Sequence, residues 1–170
     1  IELSQLDVMD GNMEKAPVDL SDEAQNCVEM LQMHAEKHKI TLLAKDIEKN
    51  CIIYGNQNMI QEILYNLCDN AIRYNKPKGH VWVSVFEKDS KIILRVKDDG
   101  IGIAPKEQER IFERFYRVDK ARSKKTGGTG LGLAIVKHIA EQHSAEIVIK
   151  SEIGQGTVIS IEFTKNEKDA

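Results

Sequence analysis

The period of the hydrophobic positions changes several times along this chain, and each change marks an element. From 60 to 74 the apolar residues recur at helical spacing. Wound at about 100° per residue, Ile60, Ile63, Leu64, Leu67 and Ala71 form one stripe. A polar row of Glu62, Asn66, Asn70 and Arg73 runs beside it, with Tyr74 closing the last turn. Gly55-Asn56 ahead of the stripe supplies a stop for the preceding strand and a helix cap. Over 79–86 the period falls to two, Val81, Val83 and Val85 alternating with Trp82, Ser84 and Phe86. A turn at 87–90 leads to a second strand over 91–97, with Ile92, Leu94 and Val96 on one face. Continuing that parity by two residues sets Asp98 on the apolar side at the strand's end.

The remaining segments are read in the same way. Leu3, Leu6, Met9 and Met13 have helical spacing and begin abruptly at Ile1, so a helix entering from upstream is expected. A short edge strand is expected over 17–20, then a helix after Ser21 with Ala24, Cys27, Leu31 and Ala35 inward. Strands follow over 40–44 and 51–54, joined by a polar turn. A short helix is expected over 106–115 and an aperiodic basic loop over 118–126. A glycine-rich turn then opens an apolar helix running to about His143. Strands over 145–151 and 157–163 finish the chain, and a charged tail occupies 165–170.

Composition narrows the class. With 170 residues, 41% of them hydrophobic, the chain can bury one good core. A net charge of -3 argues against a general nucleic-acid binder, which needs a basic face to displace counterions. No apolar run reaches the length of a membrane span. Cys27, Cys51 and Cys68 are odd in number, widely spaced and set in apolar patterns, which reads as reduced core thiols of a cytoplasmic protein. No paired Cys or His spacing suggests zinc.

Three features carry candidate chemistry. Two asparagines one turn apart carry a helix-propensity cost of a few tenths of a kcal/mol each. Either they are solvated surface residues or they serve a ligand, and a carboxamide oxygen suits a hard cation such as Mg2+ whose other ligands are water and phosphate. Asp98 on a buried face needs a donor, unless it is a turn acid directed back to water. The run Gly127-Gly128-Thr129-Gly130-Leu131-Gly132-Leu133 ahead of a helix either cradles a phosphate with its backbone N–H groups or is an ordinary glycine turn.

In chain order, five stretches match one known pattern. They are Asn66 with Asn70, Asp98-x-Gly100-x-Gly102, the run from Phe112 to Arg117, the run from Gly128 to Leu133, and Gly154-x-Gly156-Thr157. The chain resembles the catalytic ATP-binding domain of sensor histidine kinases over roughly residues 16–164, with 1–15 as the end of a dimerisation helix or linker. The resemblance implies an α+β class with the Bergerat two-layer α/β sandwich, a mixed sheet of about five strands plus a short edge strand packed on three main helices. It implies that Asn70 ligates Mg2+, that Asn66 supports the phosphate and metal end, and that Arg73 contacts phosphate. Lysine is more usual at that last position, and the planar guanidinium fork can differ in geometry. Tyr74 would pack on adenine, and Asp98 would accept from its exocyclic amine. Gly100 and Gly102 would let the backbone pass close to the base. Ile103, Thr129, Leu131, Leu133 and Thr157 complete the implied nucleotide contacts, with Gly128, Gly130 and Gly132 serving the phosphates beneath a lid over 118–128. Arg117 would reach the γ-phosphate, and Phe112 and Phe115 would dock on partner helices rather than fill the core. Ser144-Ala145 departs from the family, where Gly-Gly is usual.

The resemblance separates transfer from hydrolysis. In the hydrolysing relatives a glutamate one turn before the metal-binding asparagine activates water, and here that residue is Asn66, which takes up no proton at neutral pH. ATP would therefore donate to a protein acceptor, a histidine on a separate dimerisation domain, for relay to a response regulator. None of His34, His38, His80, His138 and His143 is followed by the acid typical of the phosphorylated histidine. The expected protein is a monomeric, cytoplasmic catalytic fragment of a homodimeric kinase whose full length is anchored in the bacterial membrane. The alternatives are a catalytically silent nucleotide-binding module, an ATPase of the same fold, or an anti-sigma serine kinase.

Overall fold

The computed structural model describes residues 13–114, 116 and 132–165. In chain order the elements are β1 (Ala16–Asp19), α1 (Leu20–Met30), α2 (Gln32–Lys37), β2 (Thr41–Ile47), β3 (Ile52–Gly55), α3 (Gln57–Arg73), β4 (His80–Lys88) and β5 (Lys91–Asp98). They continue with a single helical turn α4 (Pro105–Gln108), then α5 (Gly132–Gln142), β6 (Glu146–Glu152) and β7 (Gly156–Thr164). Five strands form one sheet in the order β2-β4-β5-β7-β6. The β2–β4 pair is parallel and the others are antiparallel, so the sheet is mixed. The inner sheet face carries Val81, Val83, Val85, Leu94, Ile161 and Phe163, and the helices cover it with Leu20, Ile60, Ile63, Leu64, Ile135 and Ile139, all buried. The expected two-layer α+β sandwich is observed.

Several local expectations change. The strand over 51–54 does not join the main sheet. As β3 it pairs antiparallel with β1 in a separate two-stranded ribbon, Val18 opposite Ile53. The first helix starts at Leu20, one residue before Ser21, because Asp19 is the cap and accepts from the Asp22 N–H at 3.1 Å. Ser21 is instead a buried tie: its hydroxyl donates to the Glu48 carbonyl and accepts from the Cys51 N–H at 3.2 Å. The segment over 106–115 has helical periodicity, yet only Pro105–Gln108 is helical. Turns follow, because the Gln108 carboxamide is drawn back to the carbonyls of Ile103 at 3.0 Å and Ser151 at 3.2 Å. Asn56 caps α3 as expected, accepting from the Met59 N–H at 3.0 Å. The β4–β5 turn is two residues, Asp89 and Ser90, both at positive φ, as the twist of a tight hairpin requires. Cys27, Cys51 and Cys68 are buried and unbridged.

His143 ties the end of α5 to the start of α3. Its Nδ1 lies 2.8 Å from the Ile139 carbonyl and must donate there. Nε2 is then the acceptor for the Asn56 N–H at 3.1 Å, since a neutral imidazole offers one donor and one acceptor. Burial lowers the pKa of the ring, which agrees with a neutral imidazole in this place. A Cβ on Gly55 would fall 2.8 Å from that ring, which is why glycine stands there. The next residue, Ser144, takes φ 51°. The Ala145 N–H reaches back to the Ala140 carbonyl at 2.8 Å. This is the six-residue closure that ends a helix through a left-handed position. The departure from Gly-Gly thus keeps the turn and carries its strain. Ser144→Gly should raise unfolding stability by about 0.5 to 1 kcal/mol, read as a higher urea midpoint at unchanged slope.

Candidate functional site

The polar row of α3 lies where the helix meets the start of α5. Asn66 is buried, and its Nδ2 donates to the Glu62 carbonyl one turn back at 2.8 Å. Its Oδ1 faces Gly132, where an added Cβ would stand 3.3 Å away. The carboxamide is thus tied to its own helix at one end and packs close to the start of α5 at the other. Asn70, one turn on, is half-buried. Its carboxamide makes no hydrogen bond among the described residues. Arg73 is drawn along its own helix: its Nε donates to both carboxylate oxygens of Asp69, at 2.9 and 3.1 Å. Asp69 also lies 2.7 Å from His34 Nε2 on α2. This His34–Asp69–Arg73 chain was not anticipated, because its outer member comes from an element 35 residues away. Tyr74 is the half-buried cap residue of α3, and its N–H donates to the Asn70 carbonyl at 3.1 Å.

Asp98 is the second candidate feature. It sits at the end of β5 between Val81 of β4 and Thr157 of β7, on the side that strand parity predicts. Its Oδ1 accepts from the Gly100 N–H at 2.9 Å, and the Thr157 N–H also hydrogen-bonds to it. Burial is the main influence and raises the carboxyl to about 6; the two N–H groups pull it down, and the Asp99 charge adds to the rise. Asp99 behaves in the opposite way. Burial pushes it up, but the His80 N–H at 2.6 Å and the His80 ring at 2.9 Å outweigh that, and its pKa is lowered. The charge of one acid is therefore favoured by donors within the fold, and the adjacent one is left in an environment that disfavours its charge.

Close packing explains the glycines around Asp98. A Cβ on Gly156 would stand 2.0 Å from the Asp98 carbonyl oxygen, and one on Gly100 would stand 3.0 Å from Asp98 Oδ1 and from Asn75. Gly102, at φ 75°, would collide with the Glu152 carbonyl at 2.1 Å. Glycine at Gly102 is thus required by the β6–β7 hairpin whether or not a base lies nearby. Two residues that no spacing rule identified hold this region together. Asn75 is buried, donates to the His80 carbonyl at 3.0 Å and accepts from the Lys76 N–H at 2.8 Å. Ser151 Oγ accepts from the Ile103 N–H at 2.8 Å and lies 2.7 Å from Thr157 Oγ1, so Ile103 and Thr157 are fixed by one hydroxyl. Thr157 and Leu133 are both buried.

Other expected site residues fall elsewhere. Arg117, Gly128, Thr129, Gly130, Leu131, Phe115 and the lid over 118–128 lie outside the described residues. Phe112 is half-buried and packs one side against the core, leaving part of its surface exposed. Among the described residues, no three of His, Cys, Asp or Glu gather as metal ligands.

The fold and its motifs recur in known proteins. Residues 55–167 match the family described as histidine kinase-, DNA gyrase B- and HSP90-like ATPases. The chain is 44% identical to the sensor-like histidine kinase SenX3 of Mycobacterium tuberculosis over 74% of its own length and 32% of that protein. It is 34% identical to the sensor histidine kinase WalK of Bacillus subtilis over 99% of its own length and 28% of that protein. It therefore spans about a third of the length of these relatives. Among solved structures, the mycobacterial sensor histidine kinase MprB superposes with a TM-score of 0.77 at 26% identity, covering 90% of this chain and 99% of that one. The catalytic domain of histidine kinase ThkA superposes with a TM-score of 0.78 at 23% identity, covering 93% of this chain and 100% of that one, which speaks for the fold alone. The chain belongs to the family of histidine kinase-, DNA gyrase B- and HSP90-like ATPases, as a catalytic ATP-binding domain of the sensor histidine kinase type.

Proposed function

We propose that this domain binds ATP with Mg2+ and passes the γ-phosphoryl group to a histidine on a separate dimerisation domain, from which it is relayed to a response regulator. The observation that carries the reading is Asp98: a buried carboxyl at the end of β5, held by the N–H groups of Gly100 and Thr157 on the helix-facing side of the sheet and raised to about 6 by burial. A buried acceptor of this kind is stabilised by an exocyclic amine, which gives Asp98 the role of reading the purine. Asn70 fits the cation, since its carboxamide has no partner among the described residues and lies one turn from Asn66. When bound, Mg2+ would neutralise charge on the phosphates. Gly132 and Leu133 at the start of α5, with Thr129, Leu131, Gly128 and Gly130 before them, would serve the triphosphate. Ile103, Gly100, Gly102 and Thr157 line the base side, and Tyr74 packs on the ring. Arg73 reaches phosphate from a guanidinium whose Nε is already held by Asp69. Arg117 would offset charge on the γ-phosphate during transfer.

Transfer is favoured over hydrolysis because Asn66 stands where a water-activating acid would be required. Its nitrogen donates to the Glu62 carbonyl and its oxygen faces Gly132, and a carboxamide takes up no proton at neutral pH. The histidines within the chain that have described polar partners are engaged structurally. His34 is bound to Asp69, His38 to the His34 carbonyl, His80 to Asp99 and His143 to Asn56. The acceptor would accordingly come from the dimerisation domain, against which Phe115 and the exposed part of Phe112 would dock, and the parent kinase would be a membrane-anchored homodimer. No described helix is itself long and apolar enough to cross a membrane.

Three outcomes test the reading. Incubated with ATP labelled at the γ-phosphate, the chain should stay unlabelled and release phosphate slowly until its dimerisation domain is supplied. Labelling of the lone chain, or brisk phosphate release, would refute transfer to an external histidine. Asp98→Asn should weaken adenine nucleotide binding by about 1 to 3 kcal/mol, which is about five- to 150-fold. Unchanged calorimetric affinity would place Asp98 away from the base. The third outcome is the pH profile. The ionised form accepts from the amine, so affinity should be full above pH 7 and fall as the pH drops through about 6. Stability of the free domain should move the other way. The folded pKa of Asp98 is raised, so the native state binds more protons between about 4 and 6, and this group's contribution improves as the pH falls through that window. Subtracting the profile of the D98N variant removes the titration of the phosphates themselves, and a flat difference would count against the assignment.

A further inference from the structure

The sheet has a second face, turned away from the helices, that takes no part in the nucleotide site. Across it in register, one row reads Trp82, Lys97, Val158, Lys150, and the adjacent row reads Ser84, Arg95, Ser160, Val148. A groove of about 520 Å3 lies on this face, with Val148 and Val158 in its floor. Charge is sorted along it. Towards one end Lys91 lies 3.5 Å from Glu162 and 3.9 Å from Glu146, so the acids there already have a cation. Towards the other end stand three cations that have no carboxylate partner among the described residues.

The arrangement of these three is specific. Arg95 is held from two sides, its guanidinium carbon 4.9 Å from the Phe86 ring centroid and its Nε donating to Ser160 Oγ at 3.2 Å. Its side edge is thereby used, and its two terminal amino groups present the forked edge that matches a carboxylate. Lys97 has its ammonium 5.6 Å from the Trp82 ring centroid, within reach of a cation–π attraction. Lys97 and Lys150 flank Val158 on the two strands beside it. Two strand spacings set their origins roughly 10 Å apart, with an aliphatic residue between them. In a chain of net charge -3, this local excess of cations opposes the overall balance.

We propose that this outer sheet face docks an acidic segment of a partner protein, with two carboxylates on Lys97 and Lys150, a third on the fork of Arg95, and an apolar side chain over Val158. Protein is favoured over the other polyanions by the shape of the face. A bilayer surface does not follow a groove whose wall residue Ile93 is only 5% exposed. A nucleic-acid backbone needs a continuous basic track, and the acids at Glu162 and Glu146 interrupt this one.

The inference depends on the sheet and not on the nucleotide reading, and its test keeps the two apart. The probe is a short glutamate-rich peptide with interspersed valines, titrated into the isotope-labelled chain and followed by amide shifts. Shifts are expected at Lys97, Lys150, Val158 and Ser160, with affinity that weakens as salt rises and no response to the glutamine version of the peptide. The double variant K97E/K150E should lose at least about tenfold in affinity. The single variant Lys150→Gln, at an exposed position that cannot disturb folding, should lose a smaller but measurable part. Adenine nucleotide affinity should be the same in all three proteins. Shifts confined to the Asn70 and Asp98 region, equal binding by the variants, no saturation at millimolar peptide, or tighter binding to phosphatidylserine vesicles or single-stranded DNA would each overturn the proposal.

Discussion

The constraint on which the site depends is the position of Asp98. A carboxylate at the last residue of a central strand, facing the helical layer, would ordinarily be selected against, because desolvation of its charge costs several kcal/mol. The fold tolerates it by directing the N–H groups of Gly100 and Thr157 at it, which lowers but does not cancel the burial penalty. On the proposed reading that residual unfavourable environment would be useful: a group left short of partners in the free domain is stabilised more by a matching donor than a fully satisfied group would be, so strain in the empty state would become selectivity in the bound one.

Holding Asp98 there constrains much of the surrounding sequence. The chain after β5 must turn within two residues to present the Gly100 N–H, and β7 must pass close enough for Thr157 to donate. Only glycine fits at Gly156, because the Asp98 carbonyl occupies the place of its side chain. Asn75, just beyond the end of α3, fills the corner and binds the His80 carbonyl, which joins the helix carrying Asn70 to the strand beside Asp98. Ser151 performs the same service from the other side, fixing Ile103 and Thr157 with one hydroxyl. The two walls of the site are thus connected through buried polar contacts, and a shift in one is transmitted to the other.

How much of this was legible in the sequence follows from where each signal resides. Strand parity placed Asp98 correctly because β4 and β5 bury one face completely, so a slip of one residue would expose every valine and isoleucine at once. The stripe on α3 was equally plain, since seventeen residues leave little freedom of phase. Shorter elements carried less. β1 and β3 have four residues each, too few to reveal that they pair with one another rather than with the sheet. The segment after Pro105 has helical periodicity, yet the carbonyls that capture Gln108 belong to Ile103 and to Ser151, 43 residues further on. The same holds for His34 with Asp69 and for Ser151 with Ile103: side-chain ties between distant segments leave no periodic trace.

Asn66 shows how a small difference in side-chain chemistry decides what such a site does with its nucleotide. A glutamate in its place would bring a further carboxylate to the seam, where Glu62 and Asp69 already stand within about a turn on the same helix. Like charges so near one another would raise one pKa and provide a base. The carboxamide brings no charge, donates into its own helix, and turns its oxygen to the point where α5 begins. Water beside the γ-phosphate would then find a hydrogen-bonding surface and no acceptor for its proton. A phosphoryl group in that setting waits for an imidazole, a better nucleophile at neutral pH than water without a base. On the proposed reading, the bias against hydrolysis would then rest on the choice of an amide over an acid one turn from Asn70.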